Sequence, residues 1–197
     1  MEVNEVKKIV EKVDGWLEDE EGELLYRLAK NCLGKGRIVE IGSWKGKSTI
    51  WLAKGSKVGN KVKVYAIDPH VGATFEEFKK NISNSQTDDI VIPIVKTSEE
   101  VAKDFNEPVE LIFVDGSHEY ETVKLDFELW VPKLIYGGTI AFHDTIIKPG
   151  PKKIVEEYVY KSKNFKNIGF VGSTTFAKKA KRIDIKDIFS IIITRFE

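Results

Sequence analysis

Two short stretches carry residue types suited to chemistry on an oxygen atom. Asp115-Gly-Ser-His118 and Phe142-His-Asp-Thr145 each follow a short apolar run, where a strand would end. Asp115 and Asp144 on adjacent strand ends could hold a divalent ion. Two carboxylates suit magnesium or calcium, and His143 as a third ligand shifts the preference towards manganese, iron or zinc. An ion bound to a hydroxyl lowers its pKa, and a histidine titrating near neutrality can take the proton. His118, three residues after Asp115, is therefore placed as general base, with Asp115 beside it as the second catalytic residue. A lone loop histidine is more often a cap or surface residue. The neighbouring Asp115 and the strand end reverse that weighting for His118 but not for His70, which could instead line a substrate. His143 divides evenly between an ion ligand and a structural partner of Asp144.

A third stretch, Glu40-Ile-Gly-Ser-Trp-Lys-Gly-Lys-Ser-Thr49, ends as a phosphate-binding P-loop would. A P-loop wraps a phosphate in backbone N–H groups and needs four residues between its glycines, whereas Gly42 and Gly46 have three between them. The run Leu111–Asp115, "LIFVD", resembles the segment that holds magnesium in such nucleotide hydrolases, so that rival has some support. Glu40 opposes it, because a carboxylate at the site's mouth repels polyphosphate and attracts an ammonium or sulfonium. The dinucleotide fingerprint fails too: Trp44 stands where its second glycine must admit a pyrophosphate. Asp68 ends the next apolar run, "VYAID", at the place where an acid accepts hydrogen bonds from ribose hydroxyls. A ligand with a cationic group facing Glu40, a ribose facing Asp68 and no phosphate matches S-adenosylmethionine. The bland alternative, two glycines in a tight turn, leaves both acids unexplained.

These turns need a scaffold that brings strand ends together. Short apolar runs at Arg37–Ile41, Val62–Ile67, Ile90–Val95, Val109–Val114 and Thr139–Phe142 alternate with helical patterns over Lys47–Lys54, Phe75–Asn84, Ser98–Phe105, Glu121–Leu134 and Lys152–Tyr160. That alternation predicts a doubly wound α/β fold with a mostly parallel, Rossmann-like, seven-stranded sheet. Asn167–Val171 and Thr174–Lys178, separated by Gly172-Ser173, predict an antiparallel C-terminal hairpin. Trp51, Phe127 and Trp130 fall at core spacing on the helices. The chain divides into an N-terminal helical cap over 1–35, a ligand-binding domain over 36–180 and a tail over 181–197, all within one structural domain. Trp16, before the acidic run Glu18–Glu21, reads either as part of a lid or, more simply, as the start of a solvated helix.

The 31 basic and 31 acidic residues balance, which disfavours a non-specific nucleic-acid binder. The single cysteine, Cys32, and the lack of a long apolar run point to a reduced cytoplasm with no membrane partner. Residues 183–196 could dock on the surface or pack against another subunit, which leaves a homo-oligomer open.

Glu40, Gly42 and Gly46 resemble the first motif of class I S-adenosylmethionine-dependent methyltransferases. The likeness spans roughly residues 36–178 and is strongest to metal-dependent O-methyltransferases of the catechol, macrolide-sugar and cephalosporin-hydroxylase-like groups. The resemblance implies that Gly42 and Ser43 lie near the methionine part, that Ser48 meets its carboxylate, and that Asp68 holds the ribose; Trp44, within the same turn, either covers the methionine moiety or plugs the sheet end. Thr97 and Ser98 would flank the adenine, and Asp115 would face both cofactor and ion. The implied acceptor is a small hydroxylated molecule. The relatives carry acid–acid or acid–amide where this chain has His143-Asp144, so a non-catalytic methyltransferase-like binding domain stands as a further alternative.

Overall fold

The computed structural model describes residues 3–181. Helices α1 (Val3–Val10) and α2 (Asp19–Lys30) precede strand β1 (Arg37–Ile41). There follow α3 (Lys47–Val58), β2 (Val64–Ile67), α4 (Thr74–Asn84), β3 (Val91–Ile94), α5 (Ser98–Asp104), β4 (Val109–Val114), α6 (Tyr120–Trp130), β5 (Leu134–Phe142), α7 (Pro149–Ile154), β6 (Phe165–Val171) and β7 (Thr174–Lys179). The seven strands lie in the order β3-β2-β1-β4-β5-β7-β6, parallel except for β7, which runs antiparallel to both its neighbours. Strand order reverses between β1 and β4, so the turns after these two strands open the crevice in which such sheets hold ligands.

Side-chain alternation along the strands builds two cores. Ile38, Val64, Leu111 and Phe113 face α2 and α3 and pack with Leu25, Ile50 and Trp51. Val39, Ile41, Ile112 and Val114 face the other way and pack with Val101, Val123 and Trp130. Every residue of β4 is buried, as expected for a central parallel strand covered on both faces. Val6 and Val10 of α1 belong to the first core, so the N-terminal helices share the sheet's interior.

Several boundaries differ from the sequence reading. The α3 helix runs through Gly55, where the sequence suggested a break, because the missing side chain lets the helix approach α2: a Cβ there would fall 2.2 Å from the Tyr26 carbonyl oxygen. Helix α6 stops at Trp130 rather than Leu134. Pro132 sits in a 3-10 turn over Val131–Lys133, and β5 already begins at Leu134. The last helical stretch begins earlier than expected, at Pro149, and widens into a π-helical turn over Val155–Tyr160. The segment 183–196 lies outside the described residues.

Candidate active site

The turn after β1 is shaped by contact with the turn after β4. Gly42 has φ 89°, and a Cβ on it would lie 2.3 Å from the Asp115 carbonyl oxygen, so only glycine fits. Trp44 follows at φ 41°, and Gly46, at φ 90°, starts α3. Asp68 holds this loop in place. One of its carboxylate oxygens accepts the Trp44 N–H at 2.8 Å and the other accepts the His70 N–H at 2.7 Å. A carboxylate has about four acceptor positions, so Asp68 keeps capacity for donors on its cavity side. The cavity is about 1280 Å³. Gly42, Ser43, Trp44, Ser48 and Asp68 line it, as do Thr97, Ser98, Asp115, His118, His143 and Asp144. Of the candidate residues read from sequence, Glu40 and Gly46 stand outside its wall.

Glu40 is completely buried, on the same face of β1 as Ile38, and one carboxylate oxygen accepts a hydrogen bond from Thr49. Burial pushes its pKa up to about 8, against the hydrogen bonds from Ser48 and Thr49. The expectation of an ionised carboxylate at the mouth is therefore corrected: Glu40 is a buried acid beneath the wall, and its burial opposes ionisation. Its second oxygen, Oε1, and the hydroxyl of Ser43 are buried without hydrogen-bond partners. A buried polar atom without a partner is costly, and the Ser43 hydroxyl, which lines the cavity, can gain one from a ligand there.

At the other side of the crevice His143 lies between two carboxylates, its Nδ1 3.0 Å from Asp115 and its Nε2 3.1 Å from Glu21. Carboxylates only accept, so both ring nitrogens donate and the ring is an imidazolium. Burial alone would lower its pKa; the two acids outweigh that and raise it to about 10. Both nitrogens being engaged, His143 is not placed as an ion ligand, and the sequence assignment is corrected on that point. Burial pushes Asp115 above the usual carboxylate range, with the His143 charge opposing. The group able to converge on an ion is Asp115, His118 and Asp144, whose ligand atoms lie within 4.8 Å of one another. His118 Nε2 stands 2.9 Å from Asp144. The carboxylates of Asp115 and Asp144 offer hard oxygens that fit a divalent cation, with the His118 imidazole beside them.

Sequence reasoning missed Glu21. Its carboxylate also accepts the backbone N–H and hydroxyl of Ser173, both at 2.8 Å, and the hydroxyl of Thr174 at 3.1 Å. Burial would raise its pKa, yet these donors and His143 bring it down to about 2. Within the run Glu18–Glu21 nothing local separates it from a solvated acid. The segment before it also closes on the cavity. Trp16 is 79% exposed yet stacks on Trp44 with ring centroids 4.7 Å apart, so the lid reading of this residue is the one the geometry supports. Lys47, which sequence suggests is solvated, donates to the Gly15 carbonyl at 3.2 Å.

Comparison with known proteins places this arrangement. Residues 39–145, more than half of the chain, match the family described as methyltransferase domain. The chain belongs to this family. An uncharacterized protein, y4gI, of Sinorhizobium fredii is 33% identical to the methyltransferase over 127 residues, which cover 60% of this chain and 14% of that protein. A catechol O-methyltransferase of Niastella koreensis is 27% identical over 141 residues, covering 70% of this chain and 60% of the relative. The methyltransferase thus spans less than two thirds of each of these curated relatives. An O-methyltransferase from Bacillus cereus, solved in complex with SAH, superposes with a TM-score of 0.66 at 19% identity, covering 90% of both chains. At that identity the likeness establishes a shared fold.

Proposed function

We propose that this methyltransferase moves a methyl group from S-adenosylmethionine to a hydroxyl oxygen of a small molecule or sugar, assisted by a divalent ion. The observation that carries the reading is that Asp115, His118 and Asp144 converge on the wall of the cavity that Asp68 and Ser43 also line. The cofactor would supply an electrophilic methyl group on a sulfonium. Asp68 accepts ribose hydroxyls, the Ser43 hydroxyl takes up the polar amino-acid end, and Ser48 at the start of α3 meets its carboxylate.

Asp115 and Asp144 would hold the ion, which lowers the pKa of the acceptor hydroxyl. His118, partly exposed and held by Asp144, takes the proton as the oxygen attacks. His143 and Glu21 fix Asp115 from behind. The balanced charge of the chain favours a small acceptor over nucleic acid, and among the described residues no helix is long and apolar enough to cross a membrane. Cys32, buried and free, fits a reducing cytoplasm.

Calorimetric titration with S-adenosylhomocysteine and with magnesium–ATP tests the cofactor: binding of the nucleotide alone would sink the proposal. Transfer of labelled methyl to catechols, flavonoids and sugars, with and without a chelator, tests the chemistry. His118→Ala should lower kcat by roughly 10²–10⁴ while leaving S-adenosylhomocysteine affinity in place.

A further inference from the structure

Asp126 plays no part in the mechanism above. It lies on α6, only 4% exposed, and it lines the cavity beside Ser98. The Trp130 indole N–H donates to Ser98 Oγ at 2.7 Å. Indole can only donate, so that bond uses a lone pair of Ser98 and leaves the hydroxyl proton free to turn towards Asp126, whose pKa Ser98 lowers. The chain of bonds therefore has one direction, from Trp130 through Ser98 to the carboxylate. It satisfies one acceptor position of Asp126 and leaves others for the cavity.

Burial pushes Asp126 up to about 6, opposed by the Ser98 hydrogen bond. At neutral pH it is largely an anion. Buried carboxylates are costly unless paired or richly hydrogen-bonded, and Asn would satisfy Ser98 at lower cost. An acid kept here has its use in accepting a hydrogen bond from something in the cavity.

Position decides which donor that is. In the sheet order, Ser98 follows β3 at one side of the crevice, Asp68 ends β2 next to it, and Asp115 and Asp144 follow β4 and β5 on the other side. A ligand with its reacting atom at Asp115 and its ribose at Asp68 directs its base towards Ser98 and Asp126. On an adenine base the exocyclic 6-amino group is a donor, whereas a 6-oxo purine presents an acceptor there.

We infer that Asp126 accepts a hydrogen bond from the 6-amino group of the cofactor's purine and so selects adenosyl over 6-oxo ligands. This rests on the S-adenosylmethionine reading above. Calorimetry on the full chain at pH 7.5 would compare S-adenosylhomocysteine with its deaminated analogue, S-inosylhomocysteine. The wild type should prefer the adenosyl ligand by about 10-fold or more, as expected when a buried acceptor is left facing another acceptor. In Asp126→Asn, whose amide can donate to O6, the ratio should fall to near one or invert. Asp126→Ala should lose the preference through weaker adenosyl binding. Equal weakening towards both ligands would mean a structural role and overturn the inference. A wild-type ratio near one overturns it without any variant, should the variants fail to fold. Binding of neither ligand by the wild type would instead remove the methyl-donor reading, and this inference with it.

Discussion

The two sides of the crevice are held by different means. On the side of β1 and β2, Asp68 fixes the ligand turn through two backbone N–H groups, one only 24 residues away in sequence and the other two. Glycine at 42 lets neighbouring turns touch. On the side of β5, the site is tied by charge between distant parts of the chain. Glu21 reaches His143, 122 residues on, and Ser173, 152 residues on. The β1–β2 side is local and rests on backbone geometry; the β5 side is long-range and rests on a buried ion pair. A single side chain therefore has more leverage on the second.

The largest expected effect follows from removing that leverage. Glu21→Ala strips His143 and Ser173 of a shared partner and leaves a buried cation half-paired, a change that costs roughly 3–5 kcal/mol. Urea unfolding should show it as a lower midpoint. A midpoint close to wild type would mean that the two sides are equally robust. Asp68→Ala comes next. It leaves the Trp44 and His70 N–H groups without acceptors, and S-adenosylhomocysteine affinity should drop by roughly 10- to 100-fold, at about 1–3 kcal/mol for groups left unpaired. Intact affinity would show that the backbone turn alone suffices.

A pH series separates the two sides without mutation. His143 has a folded pKa of about 10, above its unfolded value of 6.5, so its contribution is complete below 6.5 and is lost as pH rises through 10. Glu21, at about 2 against 4.5, contributes above 4.5 and loses that contribution as pH falls through 2. Above the Glu40 transition near pH 8 and up to pH 10, the His143 share of stability should fall by at most about 1.4 kcal/mol per pH unit, and Glu21→Gln should show a flatter slope. Identical slopes would remove the ion pair from the account. The smallest effect is expected at Trp16→Ala. The exposed ring stacks on Trp44, a contact contributing roughly 0.5–1.5 kcal/mol, so acceptor KM should rise several-fold while the melting temperature stays put. A shifted melting temperature with unchanged KM would make this ring a structural strut.

The same contrast explains what could be read from the sequence. Strand ends followed by Gly42, Asp68, Asp115 and Asp144 are local signals, since an apolar run stops at the residue that acts, and the alternation of strands and helices fixes their neighbours. Glu40 was legible in principle. It lies two residues after Ile38, on the face that packs against α3, so the strand period buries it; its chemistry suggested the mouth, and the period prevailed. Glu21 and Asp126 carry no comparable mark. Each is an acid in a helix rich in acids, and each acquires its role from a partner brought by tertiary packing. His143 was identified as important by its place, with its role left between ion ligand and partner of an acid, because its second carboxylate, Glu21, comes from α2.

The clamp of Glu21 on the Gly172-Ser173 turn also fixes the order of events on the ribosome. Glu21 is synthesised 152 residues before Ser173, an interval of roughly 8–30 s at about 5–20 residues per second. Strands β1 to β5 are all made within that time, while α2 still lacks the hydroxyls that hold its acid. The nascent chain can gather its central sheet early, yet the Glu21 clamp closes only when the final hairpin leaves the exit tunnel.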